Sequence, residues 1–308
     1  MRKNAPTIVV VGSSNMDLVV KSKRIPAAGE TILGGDFIMV PGGKGANQAV
    51  AAAKLGANVC FIAKLGDDVF GEQSLKNFKK AGVSTDYVQK TREAPSGVAL
   101  IMVDDKGENS IVVAPGANLR LSPDDVRAAE KEIAAAGAVV AQLEISLDTI
   151  QCAAELANNS GVPFILDPAP ARELPAELLE MVDVMKPNET EARILTGIEV
   201  TDENSARAAA MNLLERGVKA VIVTLASKGF LLADNNQTKH VSAHKVQAID
   251  STAAGDAFTG SLAVGIAQGK PLLDAASFAN YVAALAVTKM GAQSSMPTLQ
   301  EVQSFMSS

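Results

Sequence analysis

From residue 122 onward the sequence alternates with a regularity that leaves few folds open. Short apolar, β-rich runs at 138–143, 163–166, 182–185 and 220–224 are interspersed with stretches of helical spacing at 147–158, 189–195 and 203–216. Ser122-Pro-Asp-Asp opens the series as a helix start, with a serine in the capping place and proline at the first helical position. Strands that alternate with helices pair side by side when each helix carries the chain back across the sheet. The pattern therefore predicts an α/β fold: a doubly wound, mostly parallel central sheet flanked by helices. A meander begins at 230–233, and the last third is helical at about 256–268, 271–289 and 298–306. The strands end in polar residues, among them Glu144, Asp167 and Asn188, and carboxyl ends of strands are where such sheets hold ligands.

The first third is different. A strand at 7–11 ends in Gly12 and is followed by Ser-Ser-Asn15-Met-Asp17. Residues 31–40 look extended, and Pro41-Gly-Gly-Lys-Gly-Ala-Asn47 leads into an alanine-rich helix at 48–55. After a strand at 59–63 and a helix at 71–81 closed by Gly82, residues 97–103 and 109–114 form a hairpin about the turn Asp-Asp-Lys-Gly. Strands at about 17–21, 31–40 and 97–114 suit a small antiparallel β sheet arranged as a lid. No repeat, low-complexity tract or linker divides the chain, so 1–308 reads as one domain.

Composition removes several function classes. A hydrophobic content of 47% with 20% charged residues is that of an ordinary globular protein, and no apolar run approaches a membrane span. The start carries Arg2 and Lys3 but too few apolar residues after them for a signal peptide, so the expected place is cytoplasmic. A net charge of −6 without a basic stripe argues against a nucleic-acid or membrane partner. Cys60 and Cys152 are too isolated for a zinc site or a disulfide framework and read as buried thiols. The two histidines, His240 and His244, have a spacing that puts them on one side of a surface strand, which leaves general-base chemistry to carboxylates or lysine.

Within Asp250-Ser-Thr-Ala-Ala-Gly-Asp256-Ala-Phe-Thr-Gly260, the small residues Ala253, Ala254 and Gly255 leave backbone N–H groups uncovered at a helix start. Such groups lack helical partners and attract anions. Asp256 beside them suits a base that deprotonates a nucleophile attacking the bound anion, although an acidic residue complementing a helix start accounts for it as well. Gly42-Gly-Lys-Gly45 lacks the spacing of a phosphate loop, and Gly12 does not open a dinucleotide fingerprint. Lys44 and Asn47 suit a hydroxyl-rich ligand; a plain turn entering a helix suits them equally. Asn15 and Asp17 could serve adjacent hydroxyls or an Asx turn, Glu144 could accept a hydroxyl, and Asn188 with Glu191 could form only a capping box. What these residues share is a place at junctions where α/β sheets hold ligands.

Together these motifs resemble the ribokinase/PfkB carbohydrate kinase family. The resemblance runs in order through Gly12–Asp17, Pro41-Gly-Gly-Lys-Gly-Ala-Asn-Gln-Ala-Val50, Gln142-Leu-Glu144, Asp167-Pro-Ala-Pro-Ala-Arg-Glu-Leu-Pro175, Pro187-Asn-Glu-Thr-Glu191, Thr224-Leu-Ala-Ser-Lys-Gly229, the 250–260 stretch and Gly291-Ala-Gln. It implies Asp256 as catalytic base, Ala253, Ala254 and Gly255 as an anion hole, and Asn15, Asp17, Gly43, Lys44, Asn47 and Glu144 as sugar contacts. ATP would meet Asn188, Thr224, Ala226, Ser227, Gly229, Gly255 and Asn280, and Glu191 would be tied to Mg²⁺ and phosphate. A monovalent cation, K⁺, would lie by Asp250, Thr252, Ala286, Lys289, Gly291 and Ser295. The resemblance implies ATP-dependent phosphorylation of the terminal hydroxyl of a pentose, D-ribose first, with deoxyribose or another sugar or nucleoside as the alternative acceptor and a non-catalytic sugar sensor as the rival class. It also implies a homodimer built through the lid strands. Ala226 and Asn280 depart from common family residues, glycine and histidine, on the adenine side.

Overall fold

The computed structural model describes residues 5–307; most of the tail expected before the first strand lies outside them. Strand β1 (Thr7–Val11) is, beyond Thr7, apolar on both faces and buried: Ile8 and Val10 point into one core cluster, Val9 and Val11 into the other. After it come β2 (Asn15–Lys21), β3 (Phe37–Gly42), helix α1 (Lys44–Lys54), β4 (Asn58–Gly66), α2 (Val69–Ala81) and β5 (Val83–Thr91). The hairpin β6 (Gly97–Val103) and β7 (Asn109–Ala114) leads through a short 3₁₀ turn to α3 (Pro123–Arg127) and α4 (Glu130–Ala134). The regular alternation then follows: β8 (Ala138–Gln142), α5 (Leu147–Asn159), β9 (Phe164–Asp167), α6 (Ala176–Glu180), β10 (Val184–Met185), α7 (Glu189–Thr196), α8 (Glu203–Glu215) and β11 (Ala220–Thr224). The meander β12 (Phe230–Asp234) and β13 (Thr238–Val241) precedes α9 (Ala254–Ala267), α10 (Leu272–Ala286) and α11 (Leu299–Met306).

The large sheet has nine strands in the order β13-β12-β11-β10-β9-β8-β1-β4-β5, parallel from β11 to β5 and antiparallel at the β11–β12–β13 edge. From β1 the chain winds one way through β4 to β5, then returns to β8 and winds the other way. The reversal opens a crevice at the carboxyl ends of β1 and β8, the usual ligand position in such sheets. Helices α1, α9 and α10 pack on one face through alanines and glycines, and α5 to α8 pack on the other. Helix α9 crosses α1 at Gly260, where a Cβ would stand 2.6 Å from the Gln48 carbonyl oxygen and 2.9 Å from Ala51 Cβ. Only a residue without a side chain lets the two backbones come so near.

The small sheet runs β3-β2-β6-β7. Its outer pairs, β2–β3 and β6–β7, are antiparallel as expected, but its central pair, β2 with β6, is parallel, because the chain passes through β3 and then α1, β4, α2 and β5 of the body before it returns at Gly97. Residues 31–36 are irregular, so β3 begins later than the extended reading of 31–40 suggested. Strand β5 lies in a stretch with no expected strand at all. Both cysteines are buried and free. Among the described residues, no helix is long and apolar enough to cross a membrane.

Candidate active site

Two groups of polar residues meet at the crevice. The first gathers at the ends of β1, β2 and β8. Ser14 N–H donates to Asn118 Oδ1 at 2.9 Å, and Asn118 Nδ2 donates to Asn15 Oδ1 at 2.7 Å, so Asn15 is held with its side chain almost fully buried. Glu144, just beyond β8, accepts from Lys44 N–H at 3.0 Å and from the Ser13 hydroxyl, fastening the start of α1 to the β1 turn. Gly43 makes that approach possible with a φ of 89°, a backbone state that side chains disfavour. Asp17 faces the same space, and burial, followed by the nearby negative charges of Glu144 and Asp256, pushes its carboxyl up to about 6.

That shift has a stability consequence with a definite sign. The folded chain holds the Asp17 proton more tightly than the unfolded chain, so stability from this group is complete below pH 3.8 and is lost as pH rises through about 6. Asp17→Asn should therefore raise the unfolding free energy by about 3 kcal/mol at pH 8 but only about 1 kcal/mol at pH 4.5. Urea unfolding of both proteins at the two pH values measures it, and an equal gain at both would refute the charge argument.

The second group surrounds the start of α9. Ala253 adopts a left-handed conformation (φ 60°) with no side chain capping the helix. Ala257 N–H bonds the Ala253 carbonyl at 2.8 Å, and Ala254 N–H closes a turn onto Ser251 at 3.2 Å. Among the described residues the N–H groups of Ala253, Gly255 and Asp256 have no hydrogen-bond acceptor, while the 251–254 turn takes up the Ala254 donor. Asp256 is 5% exposed. Its Oδ2 accepts from Asn47 Nδ2 at 2.8 Å and its Oδ1 from Gln48 Nε2 at 3.0 Å. Burial raises its pKa, the Lys44 ammonium opposes that rise, and Asp167 adds to it. For half-buried Lys44, desolvation works against the ammonium, but Asp256, Asp167, Glu144 and Glu191 outweigh it and hold the lysine charged. Asn47 Oδ1 is buried and finds no hydrogen-bond partner among the described residues. An acceptor left open in this way suits a ligand hydroxyl.

On the other side of Asp256 lies a cavity of about 800 Å³, lined by Lys44, Lys186, the α7 start, the β11 end and α10. Asn188 and Glu191 do form the capping box of α7, each backbone N–H bonding the other's side chain at 2.8 Å, and both still border the cavity. Burial and then Asp167 raise the Glu191 pKa. Thr224 N–H bonds the Pro187 carbonyl at 2.9 Å, which sets the turn Ala226, Ser227 and Gly229 on the cavity wall. Asn280 on α10 donates to the Ser242 carbonyl at 2.9 Å. His244 is not on a strand with His240: β13 stops at Val241, and His244 stacks on Tyr281 with ring centres 3.6 Å apart beside the cavity.

The 250–252 and 286–295 segments are stapled together. Asp250 Oδ1 accepts from Thr252 N–H (2.9 Å) and Oγ1 (2.6 Å), and Oδ2 accepts from Gly291 N–H (2.8 Å). Ser295 is fully buried nearby in the chain, its hydroxyl donating to the Ala292 carbonyl at 2.8 Å. Ala286 closes α10, and its carbonyl accepts from Lys289 N–H at 3.1 Å, while the Lys289 ammonium reaches away to Glu301. Lys54 Nζ clamps the loop from α1 through the carbonyls of Gln293 and Met296, at 3.0 and 2.9 Å. Among the described residues, no group of three or more His, Cys, Asp or Glu side chains is placed to hold a metal ion.

Residues 5–299 match the sequence profile of the pfkB family carbohydrate kinase. The chain belongs to this family. It is 43% identical to a ribokinase of Haemophilus influenzae over 99% of both chains, and 40% identical to a deoxyribokinase of Salmonella typhi over 97% of this chain and 98% of that one. In three dimensions it is similar to the Arabidopsis thaliana ribokinase solved with ribose and ATP, at a TM-score of 0.91 and 36% identity, covering 98% and 99% of the two chains.

The crevice of this carbohydrate kinase also holds residues that sequence reasoning did not place there. Gln48 Nε2 bridges Asp256 Oδ1 and Asp167 Oδ2, at 3.0 and 2.9 Å, and its own oxygen accepts from Gln142 Nε2 at 2.7 Å. Lys186 Nζ, buried, lies 3.1 Å from Asp167 Oδ2. Asn118 and Ser13 complete the acceptor side. The usable signals were a glutamine in the first turns of α1 and a charged pair ending two neighbouring strands, β9 and β10.

Proposed function

We propose that the chain transfers the γ-phosphoryl group of ATP to the primary hydroxyl of a pentose, D-ribose giving D-ribose 5-phosphate. One observation carries this reading: Asp256, buried and fixed by Asn47 and Gln48, stands between a polar acceptor group and a large cavity, beside two free helix N–H groups. Phosphoryl transfer asks a protein chiefly for position and charge neutralisation. The sugar would be held by Asn15, Asp17, Gly43, Lys44, Asn47 and Glu144. Asp256 takes its hydroxyl proton, and the Gly255 and Asp256 amides with Lys44 stabilise the charge on the transferring group. Asn188, Thr224, Ala226, Ser227, Gly229 and Asn280 would hold the nucleotide.

Mg²⁺ would sit where Glu191 and the partnerless Asp167 Oδ1 border the cavity, a donor set that suits an ion bound through one or two carboxylates, water and phosphates. When bound it offsets phosphate charge. A K⁺ ion would use carbonyls of the stapled 250–252 and 286–295 segments, since the Asp250 oxygens already have donors. The chain would act as one unit in the cytoplasm, with the small sheet as a lid. The outer residues Phe37, Ile38, Leu100, Ile111 and Val112 are each about half exposed or more, and this apolar face supports a homodimer through the lid strands.

Deoxyribose is the second reading, favoured by the deoxyribokinase relative. A coupled assay of ADP release with ribose, deoxyribose, fructose and nucleosides, in K⁺ or Na⁺, separates them. Ribose should give the highest kcat/KM, with K⁺ the better activator. Equal rates for deoxyribose would remove the ribose assignment, equal rates in both salts the cation, and a monomer in sedimentation the lid contact.

A further inference from the structure

Lys186 is the one buried lysine of the cavity wall that the reaction described above leaves unused. It is 3% exposed, directly follows β10 and reaches the start of α9. Its ammonium has three N–H groups. One meets Asp167 Oδ2 at 3.1 Å, and a second is 3.5 Å from the Gly255 carbonyl. The third has no partner among the described residues on a wall of the cavity. A buried ammonium with an open donor is costly unless a ligand completes it. The position of the opening is specific: a Cβ built on Gly255 would lie 3.2 Å from Lys186 Nζ, so the lysine stands against the first turn of α9, where Gly255 and Asp256 have free N–H groups. Asp167 is itself fixed by Gln48 Nε2 at 2.9 Å and Thr259 Oγ1 at 3.1 Å, and is 1% exposed.

We propose that Lys186 is a further catalytic residue, whose ammonium donates to an oxygen of the phosphoryl group in flight, and that Asp167 is the positioning residue that aims it. The inference rests on the sugar-kinase reading above. In the step, Asp256 takes the proton of the acceptor hydroxyl, and the oxygen's electron pair forms the new O–P bond. The bond from the γ-phosphorus to the bridging oxygen breaks, and ADP leaves with that electron pair. Lys186 changes neither proton nor bond count; it offsets the charge shifting across the equatorial oxygens. Because the lysine is fixed before substrate arrives, it needs no reorganisation at the moment of reaction. Lys44 and Lys186 line the same cavity, so two cations are available to the group.

Lys186→Met keeps the length and removes the charge. Its kcat should fall by about 100-fold or more, the loss typical of removing one preorganised donor. KM for the sugar should stay within about threefold, and binding of ADP by calorimetry should be unchanged while a non-hydrolysable ATP analogue loses affinity. Because Met also leaves Asp167 buried without its cation, the double variant Asp167→Asn/Lys186→Met is measured alongside, and should fold as the wild type does and show a fall in kcat at least as large, since Asp167 also borders the proposed Mg²⁺ position. A folded variant with kcat near wild type overturns the proposal. Equal losses in ADP, analogue and sugar binding also overturn it, since a structural prop would move all three. A wild-type chain that releases no ADP with any sugar refutes the kinase reading instead, so the two failures are distinct.

Discussion

Replacing Asp256 by Asn should lower kcat by about 10³-fold or more, while sugar affinity measured by calorimetry changes little. The variant keeps the shape of the side chain and removes its ability to take a proton. Asn47 Nδ2 and Gln48 Nε2 both donate to the wild-type carboxylate, so one donor in the variant meets an amide NH₂ instead of an oxygen. That mismatch costs about 1–3 kcal/mol. It is offset in part because the carboxylate is itself strained by burial, which raises its pKa. Since the base must be ionised to work, wild-type kcat/KM should fall with decreasing pH along a limb lying above the ordinary carboxylate range, and the variant should lack that limb. A variant rate within tenfold of wild type would remove Asp256 from the chemistry.

Gly43→Ala should be the most damaging small substitution in the acceptor site. Its φ of 89° already disfavours a side chain, and the added Cβ would stand 2.6 Å from Asn15 N and 2.7 Å from Ser14 Cα. Both are backbone atoms of the β1–β2 turn, so the turn itself must shift. Conformational strain and overpacking together give a loss of about 2–4 kcal/mol. Gly82→Ala supplies the comparison, because Gly82 has a φ of 81° but nothing within 4 Å of its new Cβ. Only the conformational part remains there, about 1 kcal/mol. Chemical unfolding of both variants, with sugar KM for each, separates strain from crowding; equal losses would mean that the close approach at Gly43 carries no weight.

The regular half of the fold is legible in sequence because each central strand is a short apolar run between helix caps. Strand β11 begins and ends at the residues its pattern predicts, Ala220 and Thr224. Strand β5 is illegible for a physical reason. It is the edge strand, buried fully only at Val83, and the register break opposite Cys60 and Ile62 destroys any strict alternation of Tyr87 and Val88 with polar neighbours. The site divides in the same way. Carboxylates and amides at strand ends, such as Glu144, Asn15 and Asp256, stand out against apolar surroundings. Gln48 and Lys186 do not, because their meaning lies in partners 208 and 69 residues away. Even the capping box of Asn188 and Glu191 proved compatible with the cavity, since the same side chains close the helix and border the space before it.

The tight crossing of α1 and α9 at Gly260 has a consequence for how this enzyme could be redesigned. Asn47 and Gln48 reach Asp256 from one helix to the other across a joint with no slack, so the unit proposed to take the proton is a single casting. Asn15 and Asp17 belong instead to β2, the strand that founds the small sheet. Under the proposed reading these two acceptor contacts stand apart from that unit, whereas Lys44 and Asn47 tie the acceptor contacts of α1 to it. Exchanging β2, β3 and the β6–β7 hairpin should shift acceptor preference only as far as Asn15 and Asp17 set it, whereas any graft whose seam cuts between α1 and α9 should disturb Asp256 and the Asn47 contact at once.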